Sequence, residues 1–261
     1  MVFNLHKKAQ KLFLSGEYKE AEKIFESIPN LIEYCDEIHD YGICLIRLGQ
    51  YDKAHKVFDF IVKKYPDFGP AWYSFGRTCL IEGNIKQAIY CFSCAKKIIF
   101  DDADIYFYSA LCYEKIKKYD KAIGEYKISL ELNNNFQTHI NLGLCYYDVG
   151  DIESSLKQVE EAFKLKPNNL DALRYYVYIL IKANKRRDAY NALLNCGLNF
   201  DEDATILELL VLLSLDFKNF DLADETYVKL KKIETDSTEL FDYDKFRKIA
   251  YDNLGDVFAV K

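Results

Sequence analysis

The sequence is poor in the residues that interrupt regular structure. Its 261 residues include only 11 glycines and 4 prolines, which excludes a collagen-like chain, a glycine-rich linker and a loop-rich protein. Half of the residues are hydrophobic and 29% are charged, a composition that supports a folded core and disfavours disorder. The composition therefore predicts a globular protein with ample core material.

The sequence also lacks an excess of positive charge. It has 35 basic and 41 acidic residues, which give a formal charge of -6. Nucleic acids and anionic membranes both attract positively charged surfaces, so we expect neither as a partner. The basic cluster Lys185–Arg187 is interpreted as a solvated helix face.

Long apolar runs are absent as well. The most apolar stretch, Ile206–Leu215, has about half of the roughly 20 residues that a spanning helix needs. Near the start, Val2, Phe3 and Leu5 are followed at once by His6 and lysines, which is not the pattern of a signal peptide. We therefore expect no membrane insertion and a cytoplasmic location, where the eight cysteines stay reduced.

A short pattern recurs along the chain at a nearly constant interval. A helix-ending residue, most often glycine, is followed five positions later by a small residue. These small residues are Ala21, Ala54, Ala88, Ala122, Ser155, Ala189 and Ala223. Their spacings are 33, 34, 34, 33, 34 and 34, which is the period of the tetratricopeptide repeat, and the chain resembles that family.

Other repeat positions support the resemblance when the copies start near residues 2, 35, 69, 103, 136, 170 and 204. The eighth position is small in the first five copies: Ala9, Gly42, Gly76, Ala110 and Gly143. The 24th position is large and apolar in all seven: Phe25, Phe58, Phe92, Tyr126, Val159, Leu193 and Tyr227. The resemblance covers about residues 2–237 and implies seven tandem repeats.

The repeat predicts the fold class. Each copy should form two short amphipathic helices, joined at a glycine or asparagine that tolerates the left-handed conformation. Small residues let the two helices approach, and large ones fill the space between them. A single pair cannot bury its apolar face, so neighbouring pairs should stack. We predict an all-α, right-handed α-solenoid of about seven helix pairs.

A different segment, 238–261, is expected to end the array. Ile206–Leu215 is apolar nearly all round, and such a helix must be covered. Residues 243–253 place Phe246, Ile249 and Ala250 on one helical face, which predicts a terminal capping helix. The alternative, an eighth repeat that is cut short, would place the same helix over the end of the array. The tail 255–261 is left unassigned.

Motifs for catalysis are missing. The sequence contains no GxxxxGK, GxGxxG, GxSxG or HExxH. Cys91 and Cys94 lie within one expected helix and lack a second cysteine pair, so we interpret them as packing residues. Cys35 and His39 form half of a metal site at best. We therefore predict a non-enzyme with no cofactor and no bound metal.

The inner face of the first helix in each repeat is the predicted binding surface. Positions 2, 5, 9 and 12, with their neighbours 6 and 13, should line a concave groove. The groove residues predicted among these positions in the third to sixth repeats are Tyr73, Arg77, Phe107, Tyr108, Leu111, Ile140, Asn141, Leu144, Tyr147, Arg174, Tyr175 and Tyr178. Aromatic and arginine side chains are typical of protein-binding surfaces. The alternative is that some of these rings pack within the solenoid.

One family subtype can be tested by position. Tetratricopeptide domains that bind chaperone tails hold carboxylates with a Lys/Asn/Asn/Lys/Arg clamp. At the matching positions this chain has His6, Gln10, Asp40, Pro70 and Ser74. We therefore expect no recognition of an acidic chaperone tail.

The predicted function is a protein–protein interaction scaffold or adaptor that binds a peptide or helix of a partner protein in the aromatic groove. Two alternatives remain open. One is a dedicated chaperone resembling the class II chaperones of type III secretion. The other is a structural subunit built permanently into a larger assembly.

Overall fold

The structure is a computed structural model and describes residues 2–233. The predicted capping helix at 243–253 and the tail lie outside the described residues. Fourteen α-helices, one 3-10 turn (Leu31–Glu33) and no strand occur within 2–233. The helices are α1 Val2–Leu14, α2 Tyr18–Glu26, α3 Cys35–Arg47, α4 Tyr51–Lys64, α5 Gly69–Ile81, α6 Ile85–Ile98, α7 Ala103–Lys115, α8 Tyr119–Leu132, α9 Phe136–Asp148, α10 Ile152–Leu165, α11 Leu170–Lys182, α12 Arg186–Asn195, α13 Ala204–Asp216 and α14 Phe220–Ile233.

The helices pack as consecutive pairs, from α1 with α2 to α13 with α14. The odd-numbered helices begin at residues 2, 35, 69, 103, 136, 170 and 204, so each pair occupies one copy of the sequence repeat. None of the helices in the described part of the chain is long and apolar enough to cross a membrane.

The turn inside each pair has one backbone geometry in all seven copies. The 15th repeat position has a positive φ of 56° to 86° at Gly16, Gly49, Gly83, Lys117, Gly150, Asn184 and Lys218. The next residue donates its N–H to a carbonyl five residues earlier at 2.8 to 2.9 Å, as Asn84 does to Cys79. This is the Schellman motif, which satisfies carbonyls at the helix end.

A pair of glycine substitutions tests this turn. Gly83 has a φ of +79°, whereas Gly124 lies inside α8, and an added Cβ would meet nothing within 4 Å at either position. Gly83→Ala should lower the free energy of unfolding by about 1 kcal/mol, because a Cβ disfavours the left-handed conformation. Gly124→Ala should raise it by about 0.5–1 kcal/mol. Urea denaturation measures both, and equal effects would contradict the assigned turn.

Close contacts between paired helices follow from the small residue at the eighth repeat position. A Cβ on Gly76 would lie 2.7 Å from the Phe92 ring, and one on Gly42 would lie 2.7 Å from the Phe58 ring. The aromatic side chain of the second helix therefore packs directly against the backbone of the first. This is the close approach that the repeat positions predict.

The chain divides into two compact units, 1–134 and 135–261. In the first, the buried core includes Phe58, Phe75 and Phe92. In the second, the core includes Leu173 and Ile206. Seven repeats of nearly equal length gave no sign of this division.

Candidate protein-binding surface

Three predicted groove residues of the first unit come together as an aromatic network. The ring centroids of Tyr73 on α5 and Tyr108 on α7 are 5.9 Å apart, and those of Phe107 and Tyr108 are 5.3 Å apart, both edge to face. All three side chains are half-buried. Behind them lie two fully buried rings, Phe92 stacked on Tyr108 and Tyr126 against Phe107. The network therefore has one face in the core and another open to solvent.

Arg77 lies over this network. Its guanidinium carbon is 4.9 Å from the ring centroid of Tyr108 and 5.6 Å from that of Tyr73, which are cation–π distances. Within residues 2–233, no carboxylate is at ion-pair distance from Arg77. Its charge is thus stabilised by aromatic faces and keeps hydrogen-bond donors that no acid of the described chain occupies. We call Tyr73, Arg77, Phe107 and Tyr108 the Arg77 network.

The hydroxyl of Tyr73 remains a donor at neutral pH. Burial raises the pKa of Tyr73, and the nearby charge of Arg77 opposes this only in part. Leu111, one turn after Phe107 on α7, is also half-buried. The surface of the first unit therefore combines apolar area with hydrogen-bond donors.

A separate aromatic pair lies in the second unit. The hydroxyl oxygens of Tyr147 on α9 and Tyr178 on α11 are 3.2 Å apart, and their rings meet edge to face at 5.8 Å. The Nζ of Lys182 lies 5.2 Å from the Tyr178 ring centroid. The hydrogen bond to Tyr147, followed by burial, raises the pKa of Tyr178. Tyr178 has 36% of its surface area exposed and is more accessible than Tyr147.

Arg174 differs from Arg77 because acids of the chain already bind it. Its Nη1 donates to Asp171 at 2.9 Å, and its Nη2 donates to Asp203 at 2.6 Å. The bond to Asp203 raises the pKa of Arg174, against the opposing effect of burial. Arg174 and Asp203 border a cavity of about 560 Å³ beside Phe200. A ligand carboxylate would therefore compete with Asp171 and Asp203 for the charge of Arg174.

The prediction that Ile140 lines the groove is wrong. Its side chain is 1% exposed and belongs to the core of the second unit, with Leu173 and Val177. The fifth repeat position borders the core, so a short branched side chain there stays inside. A longer arginine or aromatic side chain at the same position can extend its end to the surface.

The other predicted residues of the second unit lie at the surface but have partners or core contacts. Asn141 accepts a hydrogen bond from Gln137 at 3.0 Å. Leu144 and Tyr175 are half-buried and pack against the core. These residues therefore contribute mainly contact area around Tyr147, and few hydrogen-bonding groups for a ligand.

A polar cluster that the sequence analysis missed lies on α1 and α3. The carboxylate of Asp40 is 2.8 Å from Nε2 of His6 and accepts a bond from Gln10 at 2.7 Å. Beside it is a cavity of about 290 Å³ whose wall includes Phe13 and Ile43. The positions of a carboxylate clamp are thus bonded to one another. In the sequence, the sign of this cluster is Asp40, an acid at position six of the second repeat, where a carboxylate-binding clamp would have an uncharged or basic residue.

The cysteines lie at packing positions. Cys44, Cys79, Cys91, Cys112 and Cys145 are buried, and all eight cysteines of the chain are free thiols.

Residues 136–169, the fifth helix pair, match the family model described as tetratricopeptide repeat. The fifth helix pair is therefore a tetratricopeptide repeat. The predicted family and the all-α repeat-solenoid class are thereby confirmed. Proteins of this family are generally non-enzymatic scaffolds.

Two curated relatives are both named BBSome complex member BBS4. The tetratricopeptide chain is 25% identical to the Bos taurus protein over 163 residues, which cover 58% of this chain and 31% of the relative. It is 25% identical to the Mus musculus protein over 125 residues, with coverages of 48% and 24%. The chain therefore spans about a third or less of the curated relatives it matches.

Solved structures with this fold come from several sources. MamA 41-end from Desulfovibrio magneticus RS-1 has a TM-score of 0.59 at 21% identity, covering 63% of this chain and 94% of that one. Pseudomonas aeruginosa pilF has a TM-score of 0.63 at 18% identity, with coverages of 83% and 98%. The APC/C hetero-tetramer Cut9-Hcn1 has a TM-score of 0.60 at 18% identity, with coverages of 95% and 48%. At these identities the likeness concerns the fold alone.

Proposed function

We propose that this tetratricopeptide protein is a scaffold or adaptor, and that the Arg77 network binds a peptide or helix of a partner protein. The observation that carries the proposal is an arginine held against two half-buried tyrosine rings without an acid of the described chain as its partner. Arginine and tyrosine are enriched among the residues that dominate binding energy at interfaces.

The chemistry of the network defines the segment that it would bind. Arg77 offers a planar set of donors, which suits a carboxylate or main-chain carbonyl oxygens. The rings of Tyr73, Phe107 and Tyr108 offer area for an apolar side chain. The proposed ligand is therefore a segment that carries an acidic group next to an apolar residue.

The Tyr147 and Tyr178 pair is proposed as a second contact surface of its own. Its two hydroxyls and the exposed ring of Tyr178 suit a polar segment, while Lys182 adds positive charge. Arg174 is not assigned a ligand, because Asp171 and Asp203 bind it. We also propose a cytoplasmic location, in which the eight free thiols stay reduced.

A second candidate function is a subunit of a permanent assembly. The names of the two curated relatives favour it, since both are members of the BBSome complex. Size-exclusion chromatography at native expression separates the two functions. A subunit should elute in one large complex of fixed composition, whereas an adaptor should also elute alone.

Site-specific crosslinking tests the proposed binding surface. In one variant, a photoreactive phenylalanine analogue replaces Tyr108 of the network. In the control variant it replaces Tyr90 on α6, which is 59% exposed and contacts Trp72 outside the network. Crosslinked proteins are then identified by mass spectrometry. We expect a distinct partner at position 108. No crosslink there, or the same proteins at both positions, would contradict the proposal.

A further inference from the structure

Three metal-binding side chains meet between the second and third repeats. They are His55 on α4, Cys79 on α5 and Glu82 just after α5, and one possible ligand atom of each lies within 4.8 Å of the other two. The Nδ1 of His55 is 2.7 Å from a carboxylate oxygen of Glu82. The thiol side chain of Cys79 is fully buried, while His55 and Glu82 keep 30% and 22% of their side-chain area exposed.

The fold explains why these residues meet although they are distant in sequence. Cys79 and Glu82 are three residues apart and share one face of a helical turn. Helix α4 packs against α5, which brings His55 of the preceding repeat to that face. The His55 ring also packs edge-on against Phe75, with centroids 4.9 Å apart. A buried ring thus holds the imidazole beside the thiol.

A second thiol lies in the same core. Cys79 and Cys91 on α6 are both fully buried, and they belong to one core cluster with Phe75, the ring that packs against His55. Core packing therefore fixes the thiol on one side of the group, while His55 and Glu82 stay partly exposed.

We propose, against the sequence-based expectation of no bound metal, that His55, Cys79 and Glu82 bind a Zn²⁺ ion. A nitrogen, a sulfur and an oxygen ligand suit zinc, and sulfur disfavours magnesium and calcium. Bond lengths of about 2.0–2.3 Å place the ligands of a tetrahedral zinc roughly 3.3–3.7 Å apart. The three side chains therefore need to move by only about 1 Å. A water molecule can supply the fourth ligand.

Zinc here would link the second helix of one repeat to the first helix of the next. The Cys79 thiol must lose its proton to bind, so binding releases a proton to solvent. The ion would bind the folded form and not the separated helices, so it would raise the unfolding temperature by an amount that grows with the logarithm of the zinc concentration divided by Kd. The inference is independent of the proposed function, since none of its three ligands belongs to the Arg77 network.

Metal titration of the purified full chain tests the site. The protein is stripped with a chelator and titrated with Co²⁺, which reports thiolate ligation by an absorption band in the near ultraviolet, and then with Zn²⁺. We expect one ion per chain, a thiolate band that Zn²⁺ abolishes, and a higher unfolding temperature with zinc. Cys79→Ser should remove the band, and His55→Gln or Glu82→Gln should weaken zinc binding by at least about tenfold.

Cys112→Ser is the matched control, because Cys112 is equally buried in the first unit and lies outside the group. It should leave metal binding unchanged. His55→Gln and Glu82→Gln alter partly exposed side chains, so they keep the test valid if Cys79→Ser fails to fold. Absence of a stoichiometric ion, or equal affinity in the parent and in both of these variants, would overturn the assignment.

Discussion

Replacing Phe92 with alanine should lower the free energy of unfolding of the first unit by about 3–5 kcal/mol. Phe92 is fully buried, and its ring lies where a side chain on Gly76 would otherwise be. Tyr108 stacks on its other face at 6.2 Å. Because Gly76 has no side chain to fill the space, the substitution should leave a cavity between the paired helices.

The single tryptophan of the chain, Trp72, lies in the first unit, so its fluorescence during urea denaturation follows this unit. Phe100→Ala is the matched control, because Phe100 is 73% exposed and should change the stability by no more than about 0.5 kcal/mol. Equal losses for the two variants would show that the 24th repeat position is not the core position between paired helices.

The helix pairs could be predicted from the sequence because their signals are local and repeated. The spacing of one small residue defined the repeat, and the 15th position then identified the turn. Lys117 and Lys218 show how much the repetition adds, since both adopt a positive φ that neither residue type favours. The prediction named glycine or asparagine for this turn, so the two lysines show that the position in the repeat, and not the residue type, decides the backbone geometry.

The candidate site was less predictable, because a repeat position fixes the side of a helix and not the partner of a side chain. Arg77 and Arg174 both occupy predicted surface positions. Only Arg174 has an acidic partner, Asp203, which lies 2.6 Å away at the N-cap of the next repeat's first helix. His55 and Cys79 show the same limit, since the contact depends on which residues two successive repeats place opposite each other. Side-chain contacts between neighbouring repeats can therefore be identified only from the packed structure.

The burial of Ile140 has a related cause. Side-chain length decides whether a residue at the border of the core reaches the solvent, and periodicity carries no information about length. Aromatic rings at the equivalent position divide their area between core and surface, as Phe107 does through its contact with the buried Tyr126. The packing alternative therefore applies in part to these rings, and the predicted binding groove stays a proposal for their exposed area.

Arg77→Ala is expected to weaken partner binding more than any other single change in the network. The probe is a synthetic peptide that spans the segment crosslinked at position 108, and its affinity is measured by calorimetry. Loss of a central arginine costs about 2 kcal/mol or more at many interfaces, so we expect the affinity to fall by at least about tenfold. Arg77→Lys should give an intermediate loss, because lysine keeps the charge but not the planar donors.

The free energy of unfolding shows whether the loss of peptide affinity in Arg77→Ala is caused by unfolding. Arg77 contacts ring faces and has no acidic partner in the described chain, so Arg77→Ala should leave the Trp72 unfolding transition within about 0.5 kcal/mol of the parent. Arg174→Ala is the matched control in the second unit. It should lower the stability of the second unit, measured by far-ultraviolet circular dichroism during urea denaturation, by removing the partner of Asp203, and it should leave the affinity for the peptide unchanged.

The two arginines therefore give opposite patterns if the Arg77 network is the binding surface. Arg77→Ala should change affinity without changing stability, and Arg174→Ala should change stability without changing affinity. If Arg77→Ala binds the peptide as tightly as the parent, the rings of the network serve the packing of the first unit. If it instead destabilises that unit by more than about 1 kcal/mol, its contacts with Tyr73 and Tyr108 belong to the fold.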